Sequence, residues 1–195
     1  GQAPHPLADK LQYVAKDYPE HGGNKKSYFA SYATQLGQWC ASAFSHPKVC
    51  AVHAYIRKGQ VVADLIKEGV LHCDANGLLL TAWPFAITEE QPEPPIFKTL
   101  PKKEGSVEPG DALVCWTVEQ QEGDMESRTW QDQGLQQSWT AFDAAMSDSA
   151  TGLCSVSGQE TVLAKNHPAK LRHSGDKAKR ISANDQDGFT FRGRF

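Results

Sequence analysis

Lys25-Lys-Ser-Tyr-Phe-Ala-Ser-Tyr-Ala-Thr-Gln-Leu-Gly-Gln-Trp-Cys-Ala-Ser-Ala-Phe44 is the stretch on which the fold turns. Phe29, Tyr32, Leu36, Trp39, Cys40 and Ala43 recur mostly at steps of three and four, which puts them on one face of a helix. Ser45 or His46 ahead of Pro47 predicts a second helix, because proline at the first helical position loses no needed donor. Val49, Val52, His53 and Ile56 form its inner stripe, and Gly59 can end it in a left-handed conformation. A short helical piece with Val62, Leu65 and Ile66 follows as far as Gly69. Upstream, Pro4, Pro6, Pro19, Gly22 and Gly23 surround Leu11-Gln-Tyr-Val14, which reads as an irregular start with one short strand.

Downstream the pattern changes. Val70-Leu-His-Cys73 and Leu78-Leu-Leu-Thr81 flank Asn76-Gly77, a dipeptide that accepts positive φ at both turn positions, so a hairpin is expected. Residues 91–109 hold five of the eleven prolines and read as a long loop or lobe boundary without ladder or helix. Asp111–Val118 is expected to be a strand with Val114, Trp116 and Val118 on one side. Thr129 with Asp132 three residues on resembles a capping box, and Leu135, Trp139, Phe142 and Met146 mark the buried stripe of the helix after it. Short strands are expected around residues 153–157, 161–164, 179–183 and 188–192. The fold class is therefore α+β, with helices mostly in the first half and a largely antiparallel sheet mostly in the second. Three parts are expected: residues 1–90, helix-rich; 91–109, a proline-rich loop; and 110–195, strand-rich with a basic end.

A chain of 195 residues with 39% hydrophobic and 22% charged residues suits a soluble globular protein with one good core. No apolar run approaches the ~20 residues that span a bilayer, so a cytoplasmic protein is expected. Five cysteines, at positions 40, 50, 73, 115 and 154, are odd in number, widely spaced and without a C-x-x-C pair. That argues against a disulfide framework or structural zinc, and most should be reduced packing residues.

Charge is unevenly placed. Lys165, Lys170, Arg172, Lys177, Lys179, Arg180, Arg192 and Arg194 put eight of the chain's 20 Lys/Arg in its last segment, with Asp176, Asp185 and Asp187 the three of its 23 acids found there. A mildly acidic chain thus ends in a basic block interleaved with Phe189, Phe191 and Phe195, the asymmetry expected of a surface that meets a polyanion. Arginine forks suit phosphate oxygens or a guanine edge, and rings can stack on bases. A half-buried strand alternates in the same way, so a core role for the phenylalanines and a solvated role for the arginines stays open.

Enzymatic signatures are weak. Ser174-Gly-Asp-Lys177 has one glycine where a phosphate-cradling loop needs two. Asn184-Asp-Gln-Asp-Gly188 lacks the first and last carboxylates of a calcium loop, at Ala183 and Arg194. No nucleophile elbow is present, and Cys154 with His167 has no third orienting group. Trp39, Trp116, Trp130 and Trp139 fall on expected inner faces and read as core. The chain is expected not to be an enzyme and to need no cofactor or metal.

Gly152-Leu-Cys-Ser-Val-Ser-Gly-Gln-Glu160, His167-Pro-Ala-Lys-Leu-Arg172, Ile181-Ser-Ala-Asn-Asp185 and Gly188-Phe-Thr-Phe-Arg-Gly-Arg-Phe195 resemble the large subunit of type I-C CRISPR surveillance complexes, the Csd-one or Cas-eight-c family. Ala51–Gly69, Val114-Cys-Trp-Thr-Val118 and Trp130–Trp139 resemble it as well, in order, so the likeness covers most of the chain. The family continues well past the position of Phe195, and Gly1 stands where Met would open a full chain, so a piece of the N-terminal half is expected. The resemblance implies a non-catalytic subunit of an RNA-guided Cascade complex in antiviral defence, whose N-terminal region reads the protospacer-adjacent motif and binds DNA. Its implied partners are target double-stranded DNA, the guide RNA with processing and backbone subunits, and a helicase-nuclease recruited after target binding; apart from the resemblance, a phage inhibitor protein is a further candidate partner for such a fragment. Lys170, Arg172, Lys177, Lys179, Arg180, Arg192 and Arg194 are the expected nucleic-acid contacts, with Asn184 able to read an adenine edge. The alternative is a docking scaffold for protein or guide RNA that never touches target DNA.

Overall fold

Tyr32, Leu36 and Trp39 bury the inner stripe of the first long helix, as their spacing requires, while Phe29 and Cys40 pack half-buried beside them. A computed structural model describes residues 3–119, 126–146, 151–153, 158–162 and 173. Along them run β1 (Asp9–Lys10), α1 (Leu11–Val14), α2 (Phe29–Ala41), α3 (Pro47–Arg57), α4 (Val61–Lys67), α5 (Pro95–Thr99), a 3-10 turn (Pro109–Asp111), β2 (Leu113–Val114), α6 (Gln133–Met146), β3 (Thr151–Leu153) and β4 (Glu160–Val162). The class is α+β: helices dominate the first half, and strand pairing among the described residues is antiparallel. It forms small separate ribbons rather than one sheet: β1 pairs with β2, and β3 with β4. The chain divides into two compact units, Gly1–Phe142 and Asp143–Phe195.

In the first unit α2 and α3 pack together and α6 docks on α2. His46 Nδ1 accepts from Lys48 N–H (3.3 Å) and Pro47 opens α3, so the expected start is the observed one. Val49, Val52 and Ile56 are buried, and Gly59 takes a φ of 71° past the end of α3. Full burial of such aliphatic side chains contributes roughly 1.5–3 kcal/mol each before conformational entropy is counted. No residue of α4 caps it by its side chain. Instead Asp17 Oδ2, reaching over from the loop after α1, accepts from Val62 N–H (2.9 Å) and Ala63 N–H (3.1 Å). Trp39 seals the α2–α6 contact: its Nε1–H donates to Ser138 Oγ (2.9 Å), and its ring meets Trp139 edge-on at 5.0 Å.

Several local expectations change. Leu11–Val14 is a helical turn, not a strand; all four residues are buried, so the segment shows no alternation that could tell the two apart. Leu11 N–H still donates to Ala112 O (2.8 Å), which is where the ribbon gives way to the turn. The hairpin after α4 exists, with Cys73 bridged to Leu79 and Leu80 N–H donating to His72 O (2.8 Å). Its turn is longer than expected: Gly77 has positive φ (80°) and Asn76 does not. Asp74 makes up the difference, its Oδ1 accepting from Asn76 N–H (2.8 Å) and Leu78 N–H (2.9 Å), and these hydrogen bonds hold its carboxyl below the ordinary value.

Within the proline-rich stretch Pro95 opens the five-residue α5, because proline suits a first helical turn, and Phe97 is buried there. Asp132, not Thr129, caps α6: Asp132 Oδ1 accepts from Leu135 N–H (3.0 Å), while Thr129 Oγ1–H donates to Trp116 O (2.8 Å). Leu135 and Phe142 are buried on α6 but Met146 is 57% exposed, and Trp130 is 48% exposed rather than core. Val114, Trp116 and Val118 pack on the core as expected. Cys40, Cys50, Cys73 and Cys115 are free thiols, Cys115 on the surface; burial and the neighbouring Cys50 push the Cys40 thiol up to about 12.

Candidate nucleic-acid interface

Lys170, Arg172, Lys177, Lys179, Arg180, Asn184, Arg192 and Arg194, with the strands expected around 179–183 and 188–192, lie outside the described residues. Within the first unit the structure brings together a different set of lysines. The loop His21-Gly-Gly-Asn-Lys-Lys26 is tied to the hairpin by Leu79 N–H donating to His21 O (2.9 Å) and His21 Nδ1–H donating to Gly77 O (2.8 Å). Val107 N–H donates to Thr81 O (2.7 Å), which brings the segment after α5 to the same hairpin. Asn24, Lys25, Thr81, Lys103, Ser106, Glu108 and Asp111 thereby line, with Pro101 and Val107, a cleft of about 530 Å³ that holds two lysines and two carboxylates.

Tyr18 pins two of these segments. Its ring is fully buried, and its hydroxyl donates to Glu108 Oε1 (2.8 Å) while accepting from Lys25 N–H (3.2 Å). Only glycine fits beside it: a Cβ on Gly23 would lie 2.3 Å from the ring, and one on Gly110 would lie 2.4 Å from the hydroxyl. Burial, followed by the Glu108 carboxylate, raises the Tyr18 phenol far above its usual range, so it stays a neutral donor. Beyond Pro101, Lys103 and Ser106 exchange both backbone hydrogen bonds (2.8 and 2.9 Å) around Glu104 and Gly105, whose φ values are 51° and 81°. Two positive φ values define the tight hairpin turn that displays Lys102 and Lys103 at its base.

Charge in the cleft is partly held in reserve. Asp111 binds Lys10 Nζ through Oδ1 (2.7 Å) and Lys25 Nζ through Oδ2 (2.5 Å). Partial burial would raise the Asp111 carboxyl, but the two lysines outweigh it and keep it below the ordinary value. Lys10 is raised in return, chiefly by its hydrogen bond to Asp111. Lys102 pairs with Glu93 (3.0 Å), and Lys26 lies over the Tyr28 ring, 5.4 Å from its centroid. Lys103 on its tight turn, with Lys25 and Lys10 bridged through Asp111, can donate hydrogen bonds to phosphodiester oxygens at several points when that carboxylate gives way.

The sequence held a signal for this cleft that composition did not expose. Lys25-Lys26 and Lys102-Lys103 each lie close to glycine, but Lys25 reads naturally as the first residue of a helix that in fact starts at Phe29. Their convergence depends on Tyr18, which carries no motif. Among the described residues no group of three or more His, Cys, Asp or Glu is placed to hold a metal ion, and no helix is long and apolar enough to cross a membrane.

No curated protein and no solved structure matches the chain. The family described as CRISPR-associated protein (Cas_Csd1) matches residues 1–195, from the first residue to the last, and the chain belongs to that family.

Proposed function

We propose that this chain is a non-catalytic DNA-recognition region of the large subunit of a type I-C RNA-guided surveillance complex, working in the cytoplasm in antiviral defence. In this reading base pairing with the guide RNA reads the target, and the chain reads the short protospacer-adjacent duplex and holds its backbone. Guide RNA, processing and backbone subunits, and a helicase-nuclease are its partners. The observation that carries the reading is the lysine-bearing cleft, where Lys25 and Lys103 stand on loops fixed by Tyr18 and by a tight turn. The basic block from Lys170 to Arg194, with Asn184, is proposed to extend the contact.

Fluorescence anisotropy with short duplexes tests this, varying salt and the base pairs beside a mock target. Every phosphate that a lysine no longer neutralises should lower the logarithmic salt slope by about one, so Lys25→Gln with Lys103→Gln should lower it by about two. Asp111→Asn releases two lysines and should tighten binding. An unchanged slope in the double variant would remove the cleft from the interface. Loss of complex assembly with DNA binding intact, on changing Arg192 and Arg194, would favour a docking scaffold.

A further inference from the structure

Trp130 lies largely on the surface. It is 48% exposed, yet its backbone is fixed: Gln136 Nε2–H donates to Trp130 O (3.1 Å), and the adjoining Thr129 is buried and bonded to Trp116 O. An exposed ring by itself needs no explanation, but this one stands on a fixed backbone at the rim of a cleft. Beside it lies a cleft of about 380 Å³, within the range of small-ligand sites, lined by Trp39, Trp130, Leu135, Gln136, Trp139 and Thr140 among others. Trp39 is buried, and Trp139 leans edge-on against it, leaving Trp139 half-buried along the lining.

The polar groups are few and ordered. Gln136 and Thr140 are one turn apart on α6 with Trp139 between them, so they share a face. Thr140 Oγ1–H donates to Gln136 O (2.9 Å), which leaves its oxygen lone pairs as acceptors, and the Gln136 amide, with its NH₂ turned to Trp130 O, keeps its carbonyl as another. No Lys, Arg, Asp or Glu is among the lining residues. An acyl chain would waste the acceptors, a quaternary cation would lack a carboxylate, and a phosphate would meet neither lysine nor arginine, with the His5 imidazole the one titratable side chain on the lining. A flat, neutral ring with donors on its edge uses the indole faces and both acceptors.

We infer that this cleft takes an unpaired nucleobase, stacked on tryptophan and hydrogen-bonded at its edge. The inference rests on the nucleic-acid reading above, but its site, its chemistry and its salt dependence differ from those of the lysine cleft. A single-stranded oligomer should bind more tightly than an abasic oligomer of the same length and charge, by about five- to 150-fold for one stacked base. Trp130→Ala should erase that ratio with the unfolding midpoint unchanged, while Trp130→Phe keeps part of it. Adenosine alone, carrying no phosphate, should quench tryptophan fluorescence in the unaltered protein and less in Trp130→Ala. Equal affinity for the two oligomers, with a normal salt slope, overturns the nucleobase site and leaves the phosphate reading standing. Adenosine quenching without binding of either oligomer upholds the site and removes the phosphate reading. Quenching by a proline-rich peptide but not by adenosine overturns the inference in favour of a peptide groove.

Discussion

Replacing Lys48 by Met isolates the interaction that fixes the start of α6. The Lys48 side chain is wholly buried, and its Nζ donates to Asp132 Oδ2 and to Glu126 O. Methionine keeps much of the stem packing, so the change removes mainly the charge and its hydrogen bonds. Breaking a buried pair by deleting one partner costs about 3–5 kcal/mol, because the other charge is left uncompensated. Asp132 retains 12% exposure and still caps Leu135 N–H, which brings the expected cost down to roughly 2–3 kcal/mol. Asparagine caps a helix about as well as aspartate, so Lys48→Met with Asp132→Asn should recover about 1–2 kcal/mol of that loss. Urea unfolding followed by tryptophan fluorescence measures both, since Trp39 and Trp139 sit at the α2–α6 contact. Acid adds a sign. Burial alone would raise the Asp132 carboxyl, but Lys48 and the capping amide hold it below the ordinary value near 3.8. Its contribution is therefore complete above that pH and is lost as pH falls further, through the lowered value. In Lys48→Met the loss should begin at higher pH. A single-variant cost below about 1 kcal/mol, with no recovery in the double variant, would refute the reasoning.

Tyr18→Phe keeps the ring but takes the acceptor from Lys25 N–H and one donor from Glu108, which should cost about 1–2 kcal/mol in urea unfolding. Gly23→Ala forces a methyl group into the same ring and should cost about 1–3 kcal/mol; neutrality there would mean the loop is not held against Tyr18. Glu104→Asn should stabilise by about 0.5 kcal/mol, because asparagine accepts the positive φ of a tight hairpin turn more readily than glutamate; destabilisation would argue against that turn.

The helices α2 and α3 are legible in the sequence because each buries a single stripe and the proline at position 47 marks the boundary between them. Leu11–Val14 is not, since a segment buried on every side has no period to read. Trp130 escapes for the opposite reason: its spacing fits a buried face, but the helix it seems to precede is capped at Asp132, which leaves the indole in the connecting loop. Prolines at 94 and 95 signal a loop by composition and a helix start by position, and here position decides. The lysine cleft was hidden because it needs Tyr18, Gly23 and Gly110 together, three positions that no local pattern relates. The basic end of the chain was the most conspicuous feature of the sequence, and its eight candidate contacts lie outside the described residues.

The buried tyrosine also decides how the lysine cleft meets a ligand. Its two pinned segments cannot part without exposing a ring that the core encloses, so they are already ordered when an anion arrives. A floppy loop would forfeit about 1–2 kcal/mol of backbone freedom for each residue fixed on binding. Here that loss was taken during folding, so what an anion would gain at Lys25 is offset chiefly by the Asp111 pairing it must displace.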